Sequence, residues 1–306
     1  MNCIQIVDKN YPKELRNIVN SPDCLYYKGD VSILKMPAIT VVGSRNMTDY
    51  GRSMTKKIVR ELTQFGMCIV SGMAIGIDSI AHRTCIENGG KTVAVLGCGL
   101  NHIFPPENYD LYHNILNTGG CILSEYPPDT LPDKKFFPQR NRIVSGLSMA
   151  TLVVEATYRS GTSITANYAF SQGKTVFCVP NSVGNKNSAG TINLIKKGAT
   201  LVTCGEDILY NLGLIKESKN FEEIQQIERQ KRAELLEKEE LSQLDNTAQK
   251  IYYFIKDNKV TNPENLSIQL NENIQTINTY LSILELKGLI INKYGLNYEL
   301  RDDLYV

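Results

Sequence analysis

An apolar run that passes directly into a glycine turn decides the fold of this chain: Ala38-Ile39-Thr40-Val41-Val42-Gly43-Ser44-Arg45. Five consecutive uncharged residues rich in β-branched side chains predict a strand covered on both faces, the usual environment of parallel strands. The glycine and serine that follow predict a tight turn at the carboxyl end of that strand. Residues 1–36, which precede the run and contain several turn signals, are interpreted as a short N-terminal lead-in segment.

The same pattern of a short apolar run followed by a helix-length amphipathic stretch continues to about Ile215. The intervening stretches are long enough for the helical crossovers that join parallel strands. The pattern predicts an α/β domain over residues 37–215, a Rossmann-like doubly wound and mostly parallel sheet. Its predicted strands are Ala38–Val42, Met67–Ser71, Thr92–Leu96, Cys121–Ser124, Ala150–Val154, Thr175–Val179 and Ala199–Val202.

The last third of the chain has a different pattern. Residues 216–242 are rich in charge and contain neither proline nor glycine, which predicts a charged linker. In residues 243–306 three amphipathic stretches precede two short apolar runs around a Tyr294-Gly295 turn. Three helices followed by a hairpin predict a C-terminal winged-helix domain. These elements are predicted over Asn246–Lys256, Pro263–Leu270, Ile274–Lys287, Leu289–Lys293 and Leu296–Leu300.

Composition and charge narrow the function classes. No apolar run approaches the ~18 residues of a membrane span, the N-terminus lacks a signal-peptide pattern, and the eight cysteines form no C-x-x-C pair. These features favour a cytoplasmic protein with reduced thiols and no membrane partner. The net charge of +1 divides into +5 over residues 1–215 and −2 in each of residues 216–240 and 241–306. A polyanionic partner is therefore expected at the first 215 residues.

Four turns rich in glycine, serine and threonine follow predicted strands. Because the carboxyl ends of parallel strands share one edge of a sheet, the four turns are expected to meet there. Backbone N–H groups, hydroxyl groups and the Arg45 guanidinium are groups that bind phosphate, so this edge is predicted to be a phosphate site. The alternative is that each glycine only permits a tight turn. The turns are Val42–Arg45, Ser71–Asp78, Leu96–Gly99 and Ser160–Thr165.

One segment interleaves basic and aromatic residues more densely than any other: Lys134-Lys135-Phe136-Phe137-Pro138-Gln139-Arg140-Asn141-Arg142. Cations neutralise phosphates and an exposed ring offers a base a stacking surface, so this segment predicts binding of single-stranded nucleic acid. The alternative places both phenylalanines in the core with the charges on a solvated rim. One phenylalanine could serve each purpose.

Cofactor, metal and catalytic motifs are weak or missing. Gly97-x-Gly99 lacks the third glycine of a dinucleotide fingerprint, because His102 stands at that position. The spacings His82-x-x-Cys85 and Cys98-x-x-x-His102 match no compact zinc module. Asp78 and His82 share one helix face, where bracing of the helix start is the favoured interpretation over acid–base chemistry. No cofactor, no metal and no catalytic residue is predicted.

Several motifs, taken in order along the chain, resemble the DNA-processing protein A (DprA/Smf) family. The resemblance covers most of the chain, and an ordered set is far more specific than one glycine-rich loop. Two positions depart from the usual family pattern, namely Pro180-Asn181 and Gly190-Thr191-Ile192. The motifs are Val42–Arg45 with Tyr50-Gly51, Val70–Asp78 with Ala81-His82, Ser124–Pro127, Phe137–Leu147, Val154–Ala156 and Ser160–Ala166.

The resemblance implies a homodimeric protein that binds and protects incoming single-stranded DNA and loads the RecA recombinase onto it. These steps belong to natural transformation and homologous recombination, and the family is not established as an enzyme. Together with the basic–aromatic segment, the resemblance implies a set of DNA-binding residues. They are Gly43, Ser44, Arg45, Gly72, Lys134, Phe137, Arg140, Arg142, Ser160, Gly161, Thr162, Ser163 and Thr165.

Three alternatives remain open at the level of sequence. Related Rossmann sheets occur in phosphoribohydrolases, but the Gly161–Ala166 stretch lacks their carboxylate and Glu155 stands at the strand end instead. The candidate recognition helix has no Lys or Arg before Lys287, which favours a protein-contact or auxiliary role for the winged helix over duplex reading. The apolar stretch Ile208–Ile215 either covers the sheet or forms a self-association patch.

Overall fold

The computed structural model describes residues 2–158, 160–216, 241–242, 244–258, 260–293 and 297–300. The chain divides into two compact units, Met1–Ser218 and Lys219–Val306. Within the described ranges, no helix combines the length and apolarity needed to cross a membrane.

The first unit is built on a nine-stranded, mostly parallel sheet, and the predicted α/β class is confirmed. Its strands are β1 Asn2–Gln5, β2 Cys24–Gly29, β3 Ala38–Val42, β4 Cys68–Ser71, β5 Thr92–Val95, β6 Cys121–Ser124, β7 Ala150–Val153, β8 Thr175–Cys178 and β9 Thr200–Leu201. The spatial order is β1-β2-β6-β5-β4-β3-β7-β8-β9. Strands β3 to β9 pair in parallel. Strand β2 pairs with β6 in the antiparallel direction, and β1 pairs with β2 in the same way.

Helices cover both faces of this sheet. They are α1 Lys13–Arg16, α2 Asp49–Gln64, α3 Ile77–Glu87, α4 Tyr109–Asn117, α5 Phe136–Gly146, α6 Gly161–Ser171, α7 Ala189–Lys196 and α8 Gly205–Asn211. Alternate residues of β3 belong to opposite layers of core: Ile39 and Val41 pack with α2, α3 and α8, whereas Ala38 and Val42 pack with α5 and α6. All five residues of β3 are buried, because this strand has helices on both sides.

The lead-in segment, expected to precede the sheet, is part of it. Strands β1 and β2 extend the sheet beyond β6, and the register places Tyr27 opposite Leu123. Only Ile4 in β1 and Leu25 in β2 are buried. Because most of their residues are exposed or only partly buried, these two strands lack the continuous apolar pattern that identifies the parallel strands.

The apolar stretch Ile208–Ile215 serves to cover the sheet. Helix α8 packs against α2, and Ile208 and Leu209 are buried in the core layer that contains Ile39. Leu212, which follows the helix, is partly buried against the same layer. The apolar side chains of Ile208, Leu209 and Leu212 therefore pack within the first unit.

The second unit has a core of its own. It contains helices α9 Asn246–Asn258, α10 Pro263–Leu270 and α11 Ile274–Leu286, and strands β10 Val260–Thr261, β11 Ile290–Lys293 and β12 Asn297–Leu300. The strands form an antiparallel sheet in the order β10-β12-β11, so β10 adds a strand to the predicted hairpin. The Tyr294-Gly295 turn and residues 217–240 of the predicted linker lie outside the described residues.

Candidate nucleic-acid interface

A cavity of about 680 Å³ opens at the carboxyl edge of the sheet. The cavity lies beside β3. Strands β4, β5 and β6 follow one another on one side of β3, and the next strand, β7, lies on its other side. This reversal is the topological switch point at which open α/β sheets bind ligands. The cavity is lined by Val42, Gly43, Ser44, Arg45, Asn46, Gly72, Ala74, Asp78, Phe104, Lys134, Phe137, Pro138, Arg140, Asn141, Val144, Thr157, Ser160, Gly161, Thr162, Ile164, Thr165 and Asn187.

All but two of the residues expected to bind DNA line this cavity. The exceptions are Arg142 and Ser163. The cavity draws on three of the four glycine-rich turns, and the fourth, Leu96–Gly99, instead supports a ring in its wall.

The first two turns fit together at a glycine. Gly76 has a φ of 86°, and a Cβ atom there would lie 2.3 Å from the Ser44 carbonyl oxygen. The backbone N–H of Ile77 donates to the same oxygen at 3.2 Å. The turn after β4 is thus fixed against the turn after β3, which places Ser44 and Arg45 at the cavity.

Two exposed cations and a helix start supply groups for an anion. The side chains of Arg45 and Lys134 line the cavity and face solvent. Helix α6 begins at Gly161 in the cavity wall, with the Ser160 hydroxyl accepting the N–H of Ser163. The first N–H groups of a helix have no partner within the helix, so this end attracts negative charge.

The two phenylalanines of the basic–aromatic segment have separate roles. Phe137 lines the cavity, is half-buried, and packs on Phe104 with ring centroids 5.4 Å apart. A Cβ atom on Gly97 would lie 2.7 Å from the Phe137 ring, so glycine is needed there. Phe136 packs on Tyr126 at 4.2 Å and does not line the cavity. Of the two rings in this segment, Phe137 is therefore the one at the cavity.

Arg140 forms part of the cavity floor. It is 5% exposed, and its Nη1 donates to the Gly72 carbonyl oxygen at 2.8 Å and to the Val95 carbonyl oxygen. Burial lowers the pKa of Arg140 to about 10, opposed by the nearby Asp78, so the guanidinium stays charged at neutral pH. These bonds tie the end of β4 to the end of β5, and they use donors that a phosphate would need.

Arg142 and Ser163 lie outside this cavity. Arg142 forms a two-pronged ion pair with Glu125, at 2.9 and 2.6 Å, and both side chains are 15% exposed. Its Nε also donates to the Asn20 carbonyl oxygen at 3.0 Å. Arg142 therefore anchors the N-terminal segment to α5. Ser163 instead lines a smaller neighbouring cavity.

Asp78 and His82 lie on the same helix, α3, but their side chains contact different groups. Asp78 is 6% exposed, lines the cavity and accepts the N–H of Gly72 at 3.1 Å. Burial raises the pKa of Asp78 to about 6, against the opposing effect of Arg140. His82 is fully buried and its Nδ1 lies 2.6 Å from the Thr92 hydroxyl. The expected pairing of Asp78 with His82 is therefore not formed.

Glu155, at the end of β7, links three loops. Its buried carboxylate accepts the backbone N–H of Thr48 at 2.9 Å and the Thr48 hydroxyl. The side-chain amides of Asn181 and Asn187 each approach it at 3.4 Å. Glu155 therefore braces the loops that contain Thr48, Asn181 and Asn187.

The sequence reasoning missed several lining residues. Phe104, Asn46 and Asn187 reach the cavity from loops outside the glycine-rich motifs. Asn187 also donates to the Asn46 carbonyl oxygen at 2.7 Å, which joins two distant loops. Such isolated residues give no local signal. Among the residues that the structure describes, no group of three His, Cys, Asp or Glu side chains is arranged to hold a metal ion.

Comparison with known proteins gives consistent relatives. A family model described as DNA recombination-mediator protein A matches residues 2–213. Protein Smf of Synechocystis is 43% identical over 212 residues, covering 68% of this chain and 53% of that protein. DNA processing protein DprA of Bacillus subtilis is 41% identical over 213 residues, covering 69% of this chain and 71% of that protein. The match thus spans only about half of the Synechocystis relative.

Two solved structures are also similar. DNA processing protein A of Streptococcus pneumoniae has a TM-score of 0.65 and 42% identity, over 68% of this chain and 73% of that one. The Helicobacter pylori protein, solved to describe its single-stranded DNA binding mode, has a TM-score of 0.62 and 31% identity, over 69% and 96%. By sequence and by fold, this chain belongs to the DNA recombination-mediator protein A (DprA/Smf) family.

Proposed function

We propose that this protein binds single-stranded DNA in the cavity at the carboxyl edge of its sheet and acts in DNA processing. The observation that carries the proposal is the meeting of Arg45, Lys134, the start of α6 and the Phe137 ring at one cavity. Cations and helix N–H groups bind phosphates, and the ring offers a stacking surface to a base. The Helicobacter pylori relative, for which a single-stranded DNA binding mode is described, supports the same ligand.

The position of the ring favours an unpaired strand. Phe137 stands in a cavity wall, half-buried beside Phe104, so a base must leave its stack to lie against it. An unpaired base does this at little cost, whereas a paired base must first be separated from its partner. We therefore propose a clear preference for single-stranded over double-stranded DNA.

The wider role rests on family membership. We propose that the protein works as a homodimer, protects single-stranded DNA, and loads the RecA recombinase onto it during natural transformation and homologous recombination. In this role the cavity holds the strand without cutting it. The net charge of +5 over residues 1–215 supports contact with a polyanion there.

We propose a winged helix for the second unit, in an auxiliary or protein-contact role. Three helices and a small antiparallel sheet, whose first strand lies between α9 and α10 and whose other two strands follow α11, support this assignment. Helix α11, in the position of a recognition helix, contains no Lys or Arg, so the electrostatic contribution of a duplex-reading helix is missing.

One observation favours a second candidate function, nucleotide hydrolysis of the phosphoribohydrolase kind. Asp78 brings a carboxyl group with a raised pKa, about 6, to the cavity, and such groups are frequent in active sites. Asp78 also accepts the Gly72 N–H and lies beside Arg140, and these contacts account for its carboxyl group as a structural part of the cavity floor. Repeated release of base from nucleoside monophosphates, abolished in Asp78→Asn, would establish this alternative in place of simple binding.

The proposed function is tested by salt-titrated binding of single- and double-stranded oligonucleotides. Arg45→Ala is expected to weaken single-strand binding and to reduce the slope of log affinity against log salt by about 0.7, since one phosphate contact is lost. Arg60→Ala, an exposed arginine of α2 outside the cavity, is the matched control and is expected to leave both unchanged. Equal effects of the two variants, or tighter binding of duplex, would contradict the proposal.

A further inference from the structure

A second, smaller cavity of about 350 Å³ borders the first. The two share Ser160 and Ile164, at the start of α6, so they lie on either side of one helix end. The remaining lining residues are Tyr158, Ser163, Asn167, Asn193, Leu194 and Lys197.

The lining has the chemistry that suits a nucleotide. Lys197, which follows α7, is exposed and supplies a positive charge, and Asn167 and Asn193 supply amide groups. Tyr158 and Ile164 contribute apolar surface. Of the described residues that line this cavity, none is acidic. A site with a cation, neutral hydrogen-bonding groups and an aromatic ring is suited to a phosphodiester with its base.

The second cavity lies where a strand bound in the first cavity could continue. A bound strand longer than the first cavity has to leave it over one of its rims, and the Ser160–Ile164 rim leads directly into the second cavity. Ser163 does not line the first cavity but lines the second. One helix start thus presents hydroxyl groups to both sides.

We propose that the second cavity is a further subsite for single-stranded DNA, which binds the nucleotides that follow those held in the first cavity. Lys197 neutralises a phosphate there, and the start of α6 separates successive nucleotides. This inference rests on the proposed function, because it assumes that the first cavity binds DNA. It predicts that the protein holds a longer strand than the first cavity alone can accommodate.

The test measures affinity against strand length, using labelled oligothymidylates of about 3 to about 16 nucleotides. Lys197→Ala is compared with Lys196→Ala, which removes the same charge from the neighbouring exposed residue that lines neither cavity. Lys197→Ala is expected to weaken the binding of long oligonucleotides several-fold and to lower the slope of log affinity against log salt for them by about 0.7. The binding of the shortest oligonucleotides is expected to stay unchanged. Asn193→Asp, which keeps the side-chain size and adds a negative charge, is expected to have the same length-dependent effect.

The outcomes separate this inference from the proposed function. If the wild-type protein binds every length, Arg45→Ala weakens all lengths, and Lys197→Ala matches Lys196→Ala throughout, then the second subsite is wrong and the first cavity stands. If the wild-type protein binds no oligothymidylate, or Arg45→Ala has no effect at any length, then the proposed function itself fails. A loss confined to long strands in Lys197→Ala and Asn193→Asp supports the subsite.

Discussion

Arg45 and Arg140 show how two arginines at one cavity differ in use. Arg45 is exposed, whereas Arg140 is buried and donates to the Gly72 and Val95 carbonyl oxygens. Sequence reasoning treats both as phosphate contacts, because local composition cannot tell which side chain folds back on the backbone. We interpret Arg140 as a residue that positions the cavity floor and Arg45 as the one that meets the strand.

Phe137→Ala is expected to weaken single-strand binding by about 1–3 kcal/mol, since one base loses its stacking surface. The salt slope is expected to stay unchanged, because stacking releases few ions. The matched control is Phe136→Ala, whose ring packs on Tyr126 outside the cavity. Fluorescence anisotropy over a salt series measures both quantities, with urea unfolding to verify that each variant is folded. Wild-type affinity in a folded Phe137→Ala would exclude stacking on this ring.

His82 gives a prediction about stability and pH. The Thr92 hydroxyl donates to the Ile69 carbonyl oxygen at 2.7 Å, so it accepts the Nδ1–H of His82. Nε2 of His82 is buried and has no hydrogen-bond partner within the described part of the chain. Protonation there would place a charge in the core, and burial accordingly lowers the pKa of His82 from 6.5 to about 3.

The consequence is a loss of stability in acid. Between pH 6.5 and about 3 the unfolded chain binds a proton at His82 that the folded chain does not, so stability falls as the pH falls. We expect the wild-type advantage over His82→Gln, measured by urea unfolding, to shrink by about 1.4 kcal/mol per pH unit in this window. Asp78, whose pKa is raised, acts in the opposite direction in both proteins and cancels in the difference. A difference that does not vary with pH would contradict this.

At the scale of elements, the parallel strands were predictable and the edge strands were not. Strands β3 and β6 have the predicted bounds, because a strand buried on both faces forms a nearly continuous apolar run without charged residues. Strands β1 and β2 were missed, since only Ile4 and Leu25 are buried in them. Their place in the sheet depends on the pairing of β2 with β6, which is distant in sequence, and β1 then pairs with β2.

The cavity was predictable in part for the same reason. The turns after parallel strands converge because of topology, so Gly43, Gly72 and Ser160 could be grouped from sequence. The partners of individual side chains could not, because they depend on contacts between distant loops. For example, Arg142 pairs with Glu125 and Phe104 packs on Phe137, and no sequence motif predicts either contact.

Glu155→Gln tests how the loops around the cavity are held. The amide has one acceptor fewer, which leaves the Thr48 N–H or hydroxyl without its bond in a buried site. We expect a loss of about 1–3 kcal/mol in the free energy of unfolding, together with weaker DNA binding. The control, Glu107→Gln, is exposed and is expected to change stability by less than about 0.5 kcal/mol. Equal stabilities for both variants would show that Glu155 does not brace the loops.

At the scale of the whole molecule, charge and architecture divide the chain in the same way. The unit Met1–Ser218 contains the cavity, and residues 1–215 have a net charge of +5. Residues 241–306, with a net charge of −2, fold around a separate apolar core. We therefore propose that the first unit binds the DNA.

A truncated protein ending at Ser218 tests this division. We expect it to fold, because among the described residues its core clusters contain none from the second unit. We also expect it to bind single-stranded DNA within about threefold of the full-length affinity. Circular dichroism verifies the fold and anisotropy measures the affinity. A folded truncated protein with a collapsed affinity would instead assign DNA contacts to the second unit.

A crystal structure of the protein with a bound oligothymidylate would show directly whether the strand lies in the cavity beside β3. We predict a phosphate within hydrogen-bonding distance of Arg45, a thymine against the Phe137 ring, and backbone oxygens facing the start of α6 at Gly161. A strand bound at another surface, with the cavity beside β3 unoccupied, would contradict it.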